Sequence, residues 1–247
     1  MATDERGTGA ERYGETWADI YDDWHAFLAP TEAQLSLLAE LAGSGRALEL
    51  GIGTGRVALR LAARGVKIEG VDASTSMVAC LRAKPGGETV PVAIADMADL
   101  AADGEFRLVY VVFNTFFCIL TQEDQAGCFE RVAAALEPGG AFLIECFVPD
   151  LSRFDRGQSL RTMRSDDGDV RIEATRHDSV DQRVHSNVIQ IIDGTVSVRP
   201  LQLRYAWPAE LDLMAKLAGL RLEHRWGGWA QEPFDASSVR HVSVYGK

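Results

Sequence analysis

The sequence predicts a doubly wound α/β fold: a seven-stranded sheet with an inserted antiparallel β region and an N-terminal helical lid. Three observations predict it. Short apolar strands alternate with amphipathic helices from residue 47 to residue 147, at the interval that right-handed crossovers in a parallel sheet require. A glycine-rich run, Gly51-Ile52-Gly53-Thr54-Gly55, follows directly on the first strand. After Pro149 the helical periodicity gives way to polar–apolar alternation, so strands replace helices.

Composition sets the bounds. A chain of 247 residues, 47% hydrophobic and 25% charged, holds one α/β domain with an insertion and is too apolar for wholesale disorder. A formal charge of −11 argues against a phosphate-tracking surface, so nucleic acid is not an expected partner. The longest apolar stretch, 108–120, is broken by Asn114 and Thr115 and is too short to span a bilayer. The polar start, MATDERGTGAER, has no apolar signal core, which makes the cytoplasm the expected location. Cys80, Cys118, Cys128 and Cys146 share no CxxC spacing and read as reduced, buried thiols. No carboxylate–histidine cluster has ligand spacing, and no metal is expected.

Taken in order, residues 1–12 read as a flexible tail. Tyr13, Trp17, Ile20, Tyr21, Trp24, Phe27 and Leu28 then follow helical spacing up to Pro30. A second helix runs from about Thr31 to Leu41, opened by a Thr31 cap and closed by Gly43-Ser44-Gly45. Strands are expected at 47–50, 66–71, 90–94, 108–113 and 141–147, with helices at 56–63, 76–83 and 122–136 between them. Residues 13–150 thus form one unit and 151–206 a β-rich insert with strands at 170–176, 183–192 and 196–205. Asp193-Gly194 joins the last two as a hairpin turn. Residues 207–247, with a helix opened by Pro208 and strands at 220–226 and 241–245, complete the core sheet.

The glycine run carries the chemistry. Glycines after a buried strand let the backbone turn tightly and approach a ligand, and the next helix presents unpaired N–H groups. Gly53 to Ala58 formally matches the dinucleotide fingerprint, with Asp72 about 20 residues on. Glu49 points elsewhere, since a carboxylate at the strand terminus repels a pyrophosphate but suits a cationic ligand such as S-adenosylmethionine. Asp72 and Asp96 end the next two strands, where open α/β sheets bind ligands, and suit a ribose diol and an adenine amino group. Either acid alone also reads as an ordinary cap or loop residue.

The set LELGIGTG, GVDAS, IADM and LEPGG, in that order over residues 12–147, resembles the class I S-adenosylmethionine-dependent methyltransferases, whose core is Rossmann-like. ADIYD, an acid on the fifth strand and the β-rich insert are more loosely similar to the amino-sugar N,N-dimethyltransferases of macrolide biosynthesis. The resemblance implies S-adenosyl-L-methionine as cofactor. Glu49, Gly51 and Gly53 would line its methionine end, Asp72 its ribose, and Met77, Asp96 and Met97 its adenine. Phe113 and Asn114 would face the methyl, and Tyr13, Trp17 and Tyr21 would form the lid. His25 falls where that subfamily places a substrate-contacting Tyr.

Transfer to an amine or hydroxyl asks for orientation and a proton acceptor. Glu145, at the substrate-facing edge, is the first candidate, with an ion-paired strand end as the alternative. Asn114 either orients the acceptor or caps the next helix. His25 is a candidate base or a packing residue, as are His177, His185 and His241. The expected function is methylation of a small-molecule amine in natural-product metabolism. The alternatives are a small-molecule O-methyltransferase, a methyltransferase of a peptide-terminal amine, and an NAD(P)-dependent oxidoreductase. The expected partner is a small molecule, with neither nucleic acid nor membrane, and a homodimer among the assemblies left open.

Overall fold

A computed structural model describes residues 8–24, 29–101 and 105–247. The N-terminal helices are α1 (Thr8–Trp17), α2 (Tyr21–Trp24) and α3 (Glu32–Ala42). The alternating core follows as β1 (Arg46–Leu50), α4 (Ala58–Ala62), β2 (Lys67–Asp72), α5 (Thr75–Arg82), β3 (Val92–Ile94), β4 (Phe106–Val111), α6 (Gln122–Ala135) and β5 (Leu136–Phe147). Next come β6 (Gln158–Asp166), β7 (Asp169–Asp178), β8 (Arg183–Ile192) and β9 (Thr195–Arg204), then α7 (Pro208–Leu217), β10 (Arg221–Trp226) and β11 (Arg240–Gly246).

Seven strands form one sheet in the order β10-β11-β5-β4-β1-β2-β3, in which β10 and β11 run antiparallel to their neighbours and the rest are parallel. Helices cover both faces, so β1 and β4 read as continuous apolar runs; Leu50, Leu108, Val109 and Val111 are fully buried. Strand order reverses between β1 and β4. The loops leaving their carboxyl ends diverge there and open the crevice where such sheets bind ligands. Among the described residues no helix is long and apolar enough to cross a membrane.

The structure departs from the sequence reading at three places. The helix α1 starts at Thr8, inside the stretch read as a tail, because Gly14 packs so closely on Ser74 that a Cβ would overlap its side chain. Tertiary packing supplies what a short isolated helix lacks. The helix expected from Tyr13 to Leu28 is broken at residues 18–20, and the break turns Tyr21 toward the glycine loop. Residues 25–28, and with them His25, lie outside the described residues. Finally, β6 lies where the sequence predicts no strand. It is an edge strand exposed along almost its whole length, so it has no apolar alternation to betray it; Asp167 and Gly168 turn it into β7.

Strands β6 to β9 make a separate antiparallel sheet, with Asp193 and Gly194 both at positive φ (48° and 80°) in the expected hairpin turn. Its orientation is unusual. Glu173, Thr175, Ser186 and Gln190 are buried on the inner face, while Val196 and Val198 on the outer face are exposed. The polar side of this sheet looks inward.

Candidate active site

Residues from four segments converge above the β1–β4 crevice. The chain leaves β1 at Gly51 and Gly53, both in the left-handed region (φ 69° and 55°). A Cβ on Gly51 would overlap Thr115 Cγ2, whereas one on Gly53 would touch only Gly51 O at 4.0 Å, so the loop offers bare backbone to a ligand. The loop is tied to β2 through Gly51 N and Ile52 N, which donate to Val71 O at 2.8 and 3.0 Å. Asp72 completes the tie. Its carboxylate accepts from Gly53 N at 2.7 Å and from Ser74 N at 2.9 Å, and burial raises its pKa against those bonds.

Glu49 is 3% exposed. It accepts from Tyr110 Oη at 2.9 Å and from the Ala58 N–H, yet burial pushes its pKa up to about 8. It lines a small recess with Tyr21, Arg56 and Phe113. Arg56 also donates to the Tyr21 phenol, whose pKa burial raises to about 12, and its guanidinium lies 5.4 Å from the centre of the Phe113 ring. The recess therefore presents a buried acid and a cation side by side, a match for a zwitterionic amino-acid terminus.

The recess continues into a cavity of about 200 Å³. Of the residues expected at the site, Tyr13, Tyr21, Gly51, Gly53, Asp72 and Met77 line it, as do Met97, Phe113 and Asn114. Asp96 does not: it caps a short 3-10 turn at residues 97–99 by accepting from Ala98 N at 2.9 Å, with the buried Met97 beneath it. Glu145 stands behind the wall. Its Oε2 accepts from Phe113 N and its Oε1 from Trp229 Nε1, both at 2.9 Å.

That arrangement bends the chain after β4. Phe113 and Asn114 both adopt positive φ (57° and 64°), a conformation costing on the order of 1–3 kcal/mol per residue unless the surroundings enforce it. Here they do: Asn114 N donates to Glu145 O at 3.2 Å, and Asn114 Oδ1 accepts from Phe147 N at 2.7 Å. Of the other candidates, His177 bonds Tyr205 Oη at 3.0 Å and stacks on Phe154, and His241 is fully buried on β11.

The N-terminal helices close the front. Glu15 accepts from Ser74 Oγ at 2.8 Å and from Ser76 N at 3.1 Å, and these bonds, Ser76 first, lower its pKa to about 2. Asp22 accepts from Thr54 Oγ1 at 2.7 Å and pairs with Lys84 at 2.6 Å. Trp17 Nε1 donates to Pro200 O at 3.4 Å, and Arg171 lies 4.1 Å over the Trp24 ring. The roof comes from the insert: Glu173, Val188, Leu201 and Leu203. Sequence reasoning missed these four and Arg56. Strict alternation from Arg171 to Thr175 put Glu173 on a polar face, but alternation does not say which face looks inward.

A model of the methyltransferase domain matches residues 47–140. Over 239 residues, 94% of this chain and 96% of the relative, the sequence is 30% identical to the cypemycin N-terminal methyltransferase of a Streptomyces species. The CcbJ methyltransferase of Streptomyces caelestis superposes with a TM-score of 0.88 at 39% identity, covering 96% of this chain and 98% of that one. CalS10, an amino pentose methyltransferase of Micromonospora echinaspora solved with its cofactor bound, shares the fold at a TM-score of 0.67 and 20% identity over 92% and 96% of the two chains. S-adenosylmethionine fits the residues present. The buried Glu49 would meet a cation and Asp72 an adjoining diol, and bare glycine backbone leaves room between them. These relatives are methyltransferases, and the oxidoreductase alternative falls away. Carrying that glycine loop, those acids and those relatives, the chain belongs to the S-adenosylmethionine-dependent methyltransferases.

Proposed function

We propose that the protein methylates an amine of a small-molecule acceptor in natural-product metabolism. In this reading residues 13–150 hold the cofactor and 151–206 roof the acceptor. The observation that carries it is the cavity walled by Tyr13, Trp17, Tyr21 and Trp24 and by the apolar side chains of β8 and β9. Aromatic walls favour a ligand with an apolar body and a cationic or N–H-bearing group. The names of two relatives support it: one is an amino pentose methyltransferase, the other methylates the N-terminus of cypemycin.

The cofactor supplies a methyl group already activated on a positive sulfur, so the protein's task is to orient the acceptor and exclude water. Asn114, whose side-chain oxygen is fixed by Phe147 N, keeps its amide nitrogen for the acceptor. Glu145 acts through the Phe113–Asn114 bend and is a positioning residue. An amine arrives neutral or sheds its proton before its lone pair attacks.

The alignment with the cypemycin enzyme along nearly the whole chain favours a second reading, in which the acceptor is the amino end of a peptide. One screen separates the two. The protein is incubated with isotopically labelled cofactor and a panel of small amines, the matching alcohols and short peptides, and the products are weighed by mass spectrometry. Methylation of small amines is the expected result. Methylation of peptides alone selects the second reading, and methylation of alcohols alone overturns both.

A further inference from the structure

The inner face of the insert carries a carboxylate that is engaged through one oxygen only. Glu173 lies on β7 in register with Arg161 of β6 on one side and Val188 of β8 on the other. Its side chain is 12% exposed, against 39% for Arg153 and 59% for Arg161. Both guanidinium groups bind the same oxygen, Oε2, at 3.3 and 3.1 Å. Among the described residues Oε1 has no partner.

Removing a carboxylate from water is costly, and ion pairs with arginines this exposed recover little of that cost. The other acids near the cavity are already engaged. Asp72 accepts from Gly53 N and Ser74 N, and Glu49 from Tyr110 and Ala58, and both stand at the far, cofactor end. Glu173 stands in the roof instead, beside Val188, Leu201 and Leu203, which offer no polar side chain. A wall of this kind has one acceptor oxygen to give, in apolar surroundings where a hydrogen bond to charge is strong.

We propose that Glu173 is the acceptor-binding carboxylate: its free Oε1 receives an N–H of the acceptor amine, while Arg153 and Arg161 hold Oε2 in place. The inference rests on the amine reading above and adds the residue that selects for it. Glu173 favours an N–H-bearing or cationic acceptor and repels a carboxylated or phosphorylated one. Arg153 and Arg161 are engaged by Glu173 and are thereby withdrawn from any anionic acceptor.

The test uses the full chain loaded with S-adenosylhomocysteine. Phenethylamine and its neutral counterpart 2-phenylethanol are titrated by calorimetry, with the fluorescence of Trp17 and Trp24 in the cavity wall as a second signal. The wild type is expected to prefer the amine by at least about tenfold. Glu173→Gln should abolish the preference by weakening the amine alone, and Glu173→Asp should keep part of it. Binding of S-adenosylhomocysteine by each variant reports that the fold and the cofactor end are intact. A preference that survives Glu173→Gln overturns the proposal. So does a wild type without any preference, a comparison that needs no variant. Failure of the amine reading shows separately, as transfer to alcohols alone in the product screen.

Discussion

The two sheets of this protein solve opposite problems. The central strands of the seven-stranded sheet are apolar on both faces and buried, and the candidate chemistry lies in the loops at one edge. The four-stranded sheet turns its polar face inward, with Glu173, Thr175, Ser186 and Gln190 buried, and leaves Val196 and Val198 to the outside. In the first, burial builds a scaffold and a few backbone amides do the binding. In the second, Thr175 and Ser186 satisfy each other, Gln190 bonds Asp169, and Glu173 alone of the four reaches the cavity. On the function proposed above, the cofactor would be held by the part whose geometry is dictated by packing, and the acceptor by the part whose surface can change without unfolding the core.

If that division holds, breaking the joint between the halves should have the largest effect. Trp17 is buried against Trp24, with ring centres 5.3 Å apart, and its indole N–H reaches Pro200 on the insert. Trp17→Ala should cost about 3–5 kcal/mol of stability, the range for deleting a buried aromatic side chain, measured by denaturant unfolding. Because α1 also latches onto Ser74 and Ser76 through Glu15, cofactor affinity should fall with it.

A second prediction tests the core sheet alone. His241 is fully buried on β11; its Nδ1 pairs with Ser243 Oγ at 2.9 Å, and among the described residues its Nε2 has no hydrogen-bond partner. Burial, and then the charge of Arg225, lower its pKa to about 4. The unfolded chain binds this proton near the ordinary histidine value and the folded chain does not. Stability is therefore full above that value and falls as pH drops toward 4, by about 3 kcal/mol. His241→Gln should flatten the slope measured by unfolding at a series of pH values.

The cofactor half is sharpened by Glu49. Glu49→Ala should weaken S-adenosylhomocysteine binding about 100-fold by calorimetry while leaving acceptor-side preferences intact. The pH dependence has a definite sign. With its folded value raised to about 8, Glu49 is largely protonated at neutrality, and a cationic ligand must expel that proton. Affinity rises with pH toward 8, and protons are released on binding. In the ligand-free protein the same raised value means that the stability Glu49 contributes is present below its unfolded value and is lost as pH climbs toward 8.

The division also explains what the sequence disclosed. Parallel strands buried on both faces announce themselves as apolar runs, and the glycine loop with Glu49 and Asp72 follows from where those runs end. The insert was legible as alternating strands, and no further. Alternation leaves the sign of the two faces open, so nothing in the sequence singles out Glu173 as inward-facing. The strand β6, at the edge and almost fully exposed, left no pattern at all. Arg56 was hidden differently: it follows the third glycine and reads as the start of a helix, whereas α4 begins at Ala58 and frees Arg56 to meet Tyr21. Glu145 stood where an acid on the fifth strand was expected, but whether such an acid faces a ligand or a neighbouring loop depends on the bend after β4.

Glu145 gives the smallest expected effect and the finest test of the boundary between scaffold and site. As a positioning residue it accepts from Phe113 N and Trp229 Nε1, and Glu145→Gln keeps one acceptor oxygen for these two donors. The bend loosens without being lost, and kcat should fall about tenfold through poorer alignment of the acceptor. The dependence of kcat/KM on pH should keep its shape. A group that accepts the proton in the reaction would behave otherwise, because Gln cannot titrate and the acid limb of the profile would disappear. An unchanged limb with a lower plateau assigns Glu145 to the scaffold, whose contribution to catalysis is to hold Phe113 and Asn114 in a conformation they would not adopt alone.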